Sequence, residues 1–306
     1  MKRIKSKVLF SGRGFTLIEL LVAMAISGVV MGAVIFTFKS QQDSFAVQEN
    51  VAQMHQNLRG AMHFISRDIQ MAGFYTGFDI NSYTMDWDPT AAGNETVRPI
   101  IYARDNDADG GGNDVREGTD LILIVKASDD RGTLAAGETV VAGTNQMNLT
   151  DLDLDNDTDS DLNTSGKKYG VLIKADLSKA EFFIVTGTGS PVTVSGSFNV
   201  TYEEGDTIAR ADIVIYKINE DALPALEMRN LGSDNGFQTV AEDITDMQIR
   251  YGLADGSWVD DPAASLAQIR EVQVTLSSNV NIPQLAGSKQ RSLTSTVKVR
   301  NLGINL

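Results

Sequence analysis

The sequence predicts an α+β protein in which one long N-terminal helix packs on an antiparallel β-sheet domain with insertions. Residues 15–38 form a nearly uninterrupted apolar run, and residues 39–72 keep apolar residues at helical spacing. Several later segments alternate apolar and polar residues, which is typical of strands with one buried face. We therefore divide the chain into a leader at 1–14, a helix at 15–73 whose residues 15–38 cross a membrane, and a β-rich domain at 74–306.

The apolar run is long enough to span a bilayer. It covers 24 residues and contains one charged residue, Glu19. A helix needs about 20 apolar residues to cross a hydrocarbon core of about 30 Å. A secretory signal peptide is the alternative, but its apolar region usually has only about 7–15 residues. We therefore expect a retained membrane anchor.

The leader predicts the orientation of this anchor. It carries no acid and five cations, which are Lys2, Arg3, Lys5, Lys7 and Arg13. Basic residues favour the cytoplasmic side of a membrane. We therefore expect everything after Phe38 to lie outside the inner membrane.

Glu19 is the unusual residue of the apolar run. A carboxylate at the centre of a bilayer costs about 2.5 kcal/mol or more, so such a residue is expected to be functional and paired. A Glu that reaches from a helix end to the lipid headgroups is the alternative. The string Arg13-Gly14-Phe15-Thr16-Leu17-Ile18-Glu19 resembles the prepilin signal of type IV pilins and type II secretion pseudopilins. The resemblance implies that a prepilin peptidase cuts between Gly14 and Phe15, that Phe15 is then N-methylated, and that Glu19 is the acid retained in the family.

Cleavage before Phe15 would supply Glu19 with a partner. It creates an α-amine, which a nearby carboxylate keeps charged in an apolar setting. Because an unpaired buried charge is strongly unfavourable, the pair would steer subunit addition to the register that satisfies both groups.

The second half of the helix is expected to pack on the domain. Its apolar residues recur every three or four positions, at Val47, Val51, Met54, Leu58, Met62, Ile65 and Ile69. Gly73 is expected to end the helix in the left-handed conformation. In the membrane half, Gly28 and Gly32 form a small-xxx-small pair that would let another helix approach closely, and added flexibility is the alternative.

The remainder of the chain reads as strands and turns. Leu121–Val125 is a continuous apolar run that favours a strand buried on both faces, and Val272, Val274 and Leu276 alternate with polar residues. Further strands are expected at Tyr169–Ala175, Ala180–Thr186, Phe198–Tyr202 and Ala211–Ile218. Ala241–Asp246 is interpreted as a short helical turn.

The end of the predicted helix narrows the resemblance. Met62–Tyr75 contains Arg67-Asp68, then Ala72-Gly73 and an aromatic residue, and it is similar to the same segment of PilW-type minor pilins. Three later segments resemble the C-terminal sheet shared by PilW-type and J-type proteins, namely Val240–Tyr251, Ile269–Leu276 and Val297–Leu302. The middle of the chain, at 78–233, contains no motif that assigns it to PilW-type or J-type proteins.

The PilW resemblance implies a minor pilin that primes type IV pilus assembly, in a tip complex with other minor pilins and a PilY-like adhesin. The implied partners also include the major pilin, the prepilin peptidase and the inner-membrane assembly platform. The protein would first be a single-pass protein of the bacterial inner membrane with a periplasmic domain. It would then join the pilus on the cell surface, with roles in twitching motility and adhesion. A J-type pseudopilin of a type II secretion system is the alternative in the same superfamily.

An acidic loop in the middle suggests a calcium site. Asp105, Asp107 and Asp109, followed by Gly110, match the first half of an EF-hand loop. Position twelve is Arg116 instead of Glu, so Asp114 or Glu117 would have to serve in a looser loop. A second run of alternating acids at 151–161 lacks the glycine at the turn. A solvated acidic loop is the alternative for both, and calcium binding would suit a third class of function, a membrane-anchored calcium-dependent adhesin.

Composition excludes several other functions. The formal charge is −14, and removal of the five leader cations lowers it to −19, which disfavours nucleic acid as a partner. The chain has no cysteine, so thiol catalysis and Cys-based metal sites are excluded. Its two histidines both lie on the predicted helix, and no nucleophile with a nearby base emerges. We therefore expect a structural and assembly protein and not an enzyme.

Overall fold

The structure is a computed structural model that describes residues 14–74, 83–85, 95–97, 101–104, 115–155, 160–164, 168–233, 236–262, 268–282 and 287–300. Within these ranges it contains one long α-helix and sixteen strands arranged in three antiparallel sheets. This architecture confirms the α+β fold predicted from the sequence.

Helix α1 runs from Leu17 to Met71, 55 residues in all. Its first half is exposed, and by length and composition α1 is the one helix in the described ranges that could cross a membrane. Its second half buries Met54, Leu58, Met62, Ile65 and Ile69 of the predicted face, whereas Val47 and Val51 are half-buried. Ala61 and Asp68 are buried as well. The helix ends as expected, because Gly73 has a left-handed φ of 72°.

Two sheets hold the earlier strands. Strands β1 (Tyr83–Met85) and β2 (Glu95–Val97) form a two-stranded ribbon. The ten-stranded sheet contains β3 (Ile101–Arg104), β4 (Leu121–Thr133), β5 (Thr139–Val140), β6 (Gln146–Asn148), β7 (Tyr169–Ile173), β8 (Ala180–Gly187), β9 (Val192–Val194), β10 (Thr207–Ile218), β11 (Ala225–Asn230) and β12 (Gln238–Glu242). Strand β10 is its centre, since β4 pairs along one side and β7 and β11 share the other.

The third sheet has the order β14-β13-β15-β16. Its strands are β13 (Ile244–Leu253), β14 (Trp258–Val259), β15 (Ile269–Ile282) and β16 (Gly287–Lys298). The predicted alternation is confirmed, because Val272, Val274 and Leu276 are buried while Gln273 and Thr275 are partly exposed. Helix α1 packs on β15 and β16, and one core cluster joins it to both larger sheets.

The first part of strand β4, Leu121–Val125, is buried on both faces, as its continuous apolar run predicts. Ile122 and Ile124 belong to the core beneath α1, whereas Leu121, Leu123 and Val125 belong to a second core on the opposite face. Asp120, just before β4, ties the two larger sheets together. Its N–H donates to the carbonyl oxygen of Met247 at 2.9 Å, and its Oδ2 accepts from the N–H of Ile249 at 2.6 Å.

Two local predictions are wrong. Phe198–Tyr202 is not a strand: Tyr202 forms an isolated bridge with Val140, and Phe198 exchanges backbone hydrogen bonds with Gly143 and Thr144. There, the backbone N–H and side-chain amide of Asn199 both donate to Oε1 of Glu181, which holds the segment as a loop. Ala241–Asp246 is not a helical turn but the junction of β12 and β13, where Asp243 has a φ of 59°.

Candidate functional site

Glu19 lies in a capping box at the start of α1. Its Oε2 accepts from the backbone N–H of Thr16 at 2.9 Å and from the Thr16 hydroxyl at 3.0 Å. The N–H of Glu19 donates in return to Oγ1 of Thr16 at 3.3 Å. A Thr at the N-cap with Glu three residues later is the sequence signature of this motif. The sequence analysis missed it, although Thr16 and Glu19 have the required spacing.

The predicted cleavage point lies immediately before this cap. Gly14 and Phe15 precede the helix and both are exposed, Phe15 to 89%. The amine that cleavage would free is the nitrogen of Phe15, the residue before Thr16. The Cα atoms of consecutive residues are only about 3.8 Å apart. The Glu19 carboxylate is therefore already folded back towards the chain end that cleavage would create.

Gly28 and Gly32 lie one turn apart on the exposed half of α1. A Cβ added at either position would meet no atom within 4 Å in the described part of the chain. Large apolar side chains on the same half are also exposed, among them Phe36 at 76% and Val29 at 75%. The apolar surface of this half is thus available to lipid or to other helices.

The C-terminal end of α1 is fixed by the buried carboxylate of Asp68, which the sequence analysis named only as part of a family pattern and gave no role. Asp68 is 3% exposed, and its Oδ1 lies 3.0 Å from Nζ of Lys126 on β4. The hydroxyl of Tyr216 on β10 donates to its Oδ2 at 2.6 Å. Burial, together with the negative charge of Asp68, raises the pKa of Tyr216 well above its ordinary value. The network joins the helix to the central strand pair of the large sheet.

The residues after the helix also form hydrogen bonds with strand β4. Gly73 donates its N–H to the carbonyl oxygen of Val125 at 2.9 Å, and the carbonyl oxygen of Phe74 accepts from the N–H of Ala127 at 2.8 Å. Ala72, the residue before Gly73, is fully buried. These contacts give a physical reason for the Arg-Asp-x-x-x-Ala-Gly-aromatic pattern: the acid pairs inside the core, the alanine fits a closed space, and the glycine turns the chain onto β4.

The predicted calcium residues Asp105, Asp107, Asp109 and Asp114 lie outside the described residues. In the second acidic run, carboxylate oxygens of Asp153, Asp155 and Asp161 lie within 4.8 Å of one another. Asp161 is 1% exposed, and its Oδ2 accepts from the N–H of Leu154 at 2.7 Å. Calcium binding by either run stays a prediction.

The prokaryotic N-terminal methylation motif matches residues 11–35. The match includes Gly14, Phe15 and Glu19 and the two helix glycines. No curated protein and no solved structure shows significant similarity to the chain. The motif and the exposed apolar helix are consistent with a membrane-anchored pilin, and a motif of this kind implies processing by a prepilin peptidase. The chain therefore has the N-terminus of a type IV pilin-like protein, with a function in pilus or secretion assembly.

Proposed function

We propose that the protein is a minor pilin of the PilW type, which is cut after Gly14 and then joins and primes a type IV pilus. The observation that carries the proposal is the position of Glu19. Its carboxylate is folded onto Thr16, one residue from the amine that cleavage would free. A Glu at this place also caps the helix, so the test must separate the charge of Glu19 from its capping role.

The mechanism follows from the two halves of α1. The first half is exposed and apolar, so lipid covers it before assembly and neighbouring helices cover it in the fibre. Glu19 pairs with the α-amine of Phe15, in its own subunit or in a neighbour, and this pairing selects the register. The second half stays on the domain, because its apolar face is buried beneath both sheets.

The PilW-type assignment rests on the helix end. Asp68, Ala72 and Gly73 each have a defined structural task there, which supports reading the segment as a motif and not as a chance match. By this resemblance the protein acts with other minor pilins as a priming complex beside a PilY-like adhesin. It performs no catalysis in this scheme.

Two alternative functions predict different experimental results. A J-type pseudopilin would share the processed N-terminus but would co-purify with secretion-system subunits instead of pilins. A membrane-anchored calcium-dependent adhesin would keep Met1 and would depend on its acidic loops. Mass spectrometry of the mature N-terminus, followed by identification of co-purified proteins, separates the three.

The sharpest test of the role of Glu19 separates charge from capping. Glu19→Gln keeps a side-chain acceptor for the N–H of Thr16 but removes the charge, whereas Glu19→Val removes both. We expect both variants to insert in the membrane and to be cleaved, and both to be lost from sheared fibres. Fibres that contain Glu19→Gln at the wild-type level would contradict the pairing role. Loss of Glu19→Val alone would assign Glu19 to the helix cap.

A further inference from the structure

Strand β16 is the outer strand of the four-stranded sheet. Its register with β15 is continuous, from Lys298 opposite Glu271 to Gly287 opposite Ile282. Within the ranges that the structure describes, no strand pairs with its other side. The N–H of Val299 donates to the carbonyl oxygen of Arg270 at 3.1 Å. Antiparallel strands alternate inward- and outward-facing backbone groups, so the amides of Ser292, Thr294 and Thr296 face away from β15.

This edge is basic, although the protein is acidic. The segment 287–300 carries four cations and no acid: Lys289, Arg291, Lys298 and Arg300. All four are exposed. Lys298 has one distant partner, Glu271 at 3.8 Å, and the other three form no ion pair with any described residue. The mature chain has a net charge of −19, so four cations on one strand concentrate positive charge at this edge.

Cations on an edge strand can also prevent aggregation, because they block pairing with the edge of another sheet. In β16 the cations are not placed where they would block pairing along the strand. They lie at the two ends of the strand and leave residues 292–297 uncharged, a stretch of about 20 Å. In this stretch the hydroxyls of Ser292 and Thr294 bond to Ser277 and Thr275 of β15, each at 2.9 Å. The middle of the edge is therefore uncharged and tied to β15, and among the described residues no strand occupies its outer side.

The position of β16 suggests where that strand comes from. Helix α1 packs on β15 and β16, with Val297 and Val299 buried in the core beneath it. In the proposed fibre the subunits pack through α1, so a strand that packs on α1 is held beside the element that meets its neighbours. We propose that β16 accepts an extended acidic segment of a neighbouring fibre subunit as an added strand, with the cations at its two ends pairing with the acids of that segment. This inference rests on the proposed function.

Hydrogen exchange tests the backbone part of the proposal. The full-length chain is compared in native fibres and in detergent, where it is a free subunit. The amides of Ser292, Thr294 and Thr296 are expected to exchange at least about 100-fold more slowly in fibres. Those of Leu293 and Ser295, which bond to β15, are expected to be protected in both samples and serve as the internal reference. Equal exchange of the outward amides in the two samples would overturn the proposal.

Matched variants test the strand and its charges separately. Thr294→Pro and Thr294→Ala both lose the hydroxyl bond to Thr275 of β15, but only Thr294→Pro also removes the outward N–H, so the pair isolates the edge amide. Arg291→Glu reverses an edge charge, and Lys179→Glu reverses an exposed charge in the turn between β7 and β8. We expect Thr294→Pro and Arg291→Glu to lower the amount in sheared fibres at least about tenfold, and the two controls to match wild type.

The outcomes separate this inference from the function beneath it. Wild-type chain present in fibres, with freely exchanging edge amides and normal incorporation of Thr294→Pro, refutes strand addition and leaves the pilin function standing. Wild-type chain absent from fibres, with an uncut N-terminus, refutes the pilin function and this inference together.

Discussion

Replacement of Asp68 by Asn is expected to destabilise the domain strongly. The substitution keeps the shape of the side chain but removes the charge that faces Lys126 at 3.0 Å and Tyr216 at 2.6 Å. The Asp68 side chain is 4% exposed and that of Lys126 18%, so the lysine would lose its counter-ion in a nearly dry setting. Breaking a buried pair in this way costs about 3–5 kcal/mol. Because Lys126 retains some access to water, we expect the lower end of that range. Arg67, at 3.7 Å and 61% exposed, contributes little.

The measurement is urea-induced unfolding of the full-length chain in detergent, followed by intrinsic fluorescence. Tyr216→Phe and the double variant complete a cycle, in which a coupling of about 1–3 kcal/mol between the two side chains is expected. Glu49→Gln, an exposed carboxylate on the same helix, is the control and should stay within about 0.5 kcal/mol of wild type. An Asp68→Asn protein as stable as that control would refute the reasoning.

Three further predictions follow from the same contacts. Because the pKa of Tyr216 is raised in the folded protein, its contribution to stability is complete below the unfolded pKa of about 10 and is lost as pH rises through the folded pKa. In urea titrations at alkaline pH, Tyr216→Phe should therefore lose less stability with rising pH than wild type does. Gly73→Ala should destabilise by about 1 kcal/mol or more, because φ is 72° there, whereas Gly60→Ala on an open face of α1 should stabilise by about 0.5–1 kcal/mol, and equal effects in thermal unfolding would contradict this account. The calcium hypothesis predicts binding heat and a higher Tm at about millimolar calcium. Loss of both effects in Asp153→Asn/Asp155→Asn would assign the site to the second acidic run, their persistence there would point to the first run, and silence in wild type would reject calcium binding at both.

The elements that the sequence predicts best are those with a strong period. The buried face of α1 and the alternation in β15 emerge directly from residue spacing, since each side chain there meets the same core. The strand Leu121–Val125 was predicted as buried on both faces but too short, because its continuation to Thr133 depends on pairing with β10. Phe198–Tyr202 has the residues of a strand, but the Glu181 carboxylate binds its backbone, and no local pattern predicts a partner 18 residues away.

The candidate site was predictable only in part. The prepilin-like string contains Gly14, Phe15 and Glu19, and the methylation motif matches the same residues. The burial of Asp68 was not predictable, since Arg67 and Asp68 are adjacent charges on a polar-looking turn and only tertiary packing places one outside and the other in the core. The edge position of β16 was not predictable either, because the composition of a strand does not determine which strands it pairs with.

The junction between α1 and β4 also determines how the domain meets mechanical force. A pull on the membrane end of the helix reaches the large sheet at Asp68, Gly73 and Phe74, which contact β4 and β10 at its centre and not at its rim. Strand β4 is registered with β10 at nine positions, so many backbone bonds carry the tension together before any one of them yields. A subunit built in this way can be dragged by its helix without unravelling strand by strand.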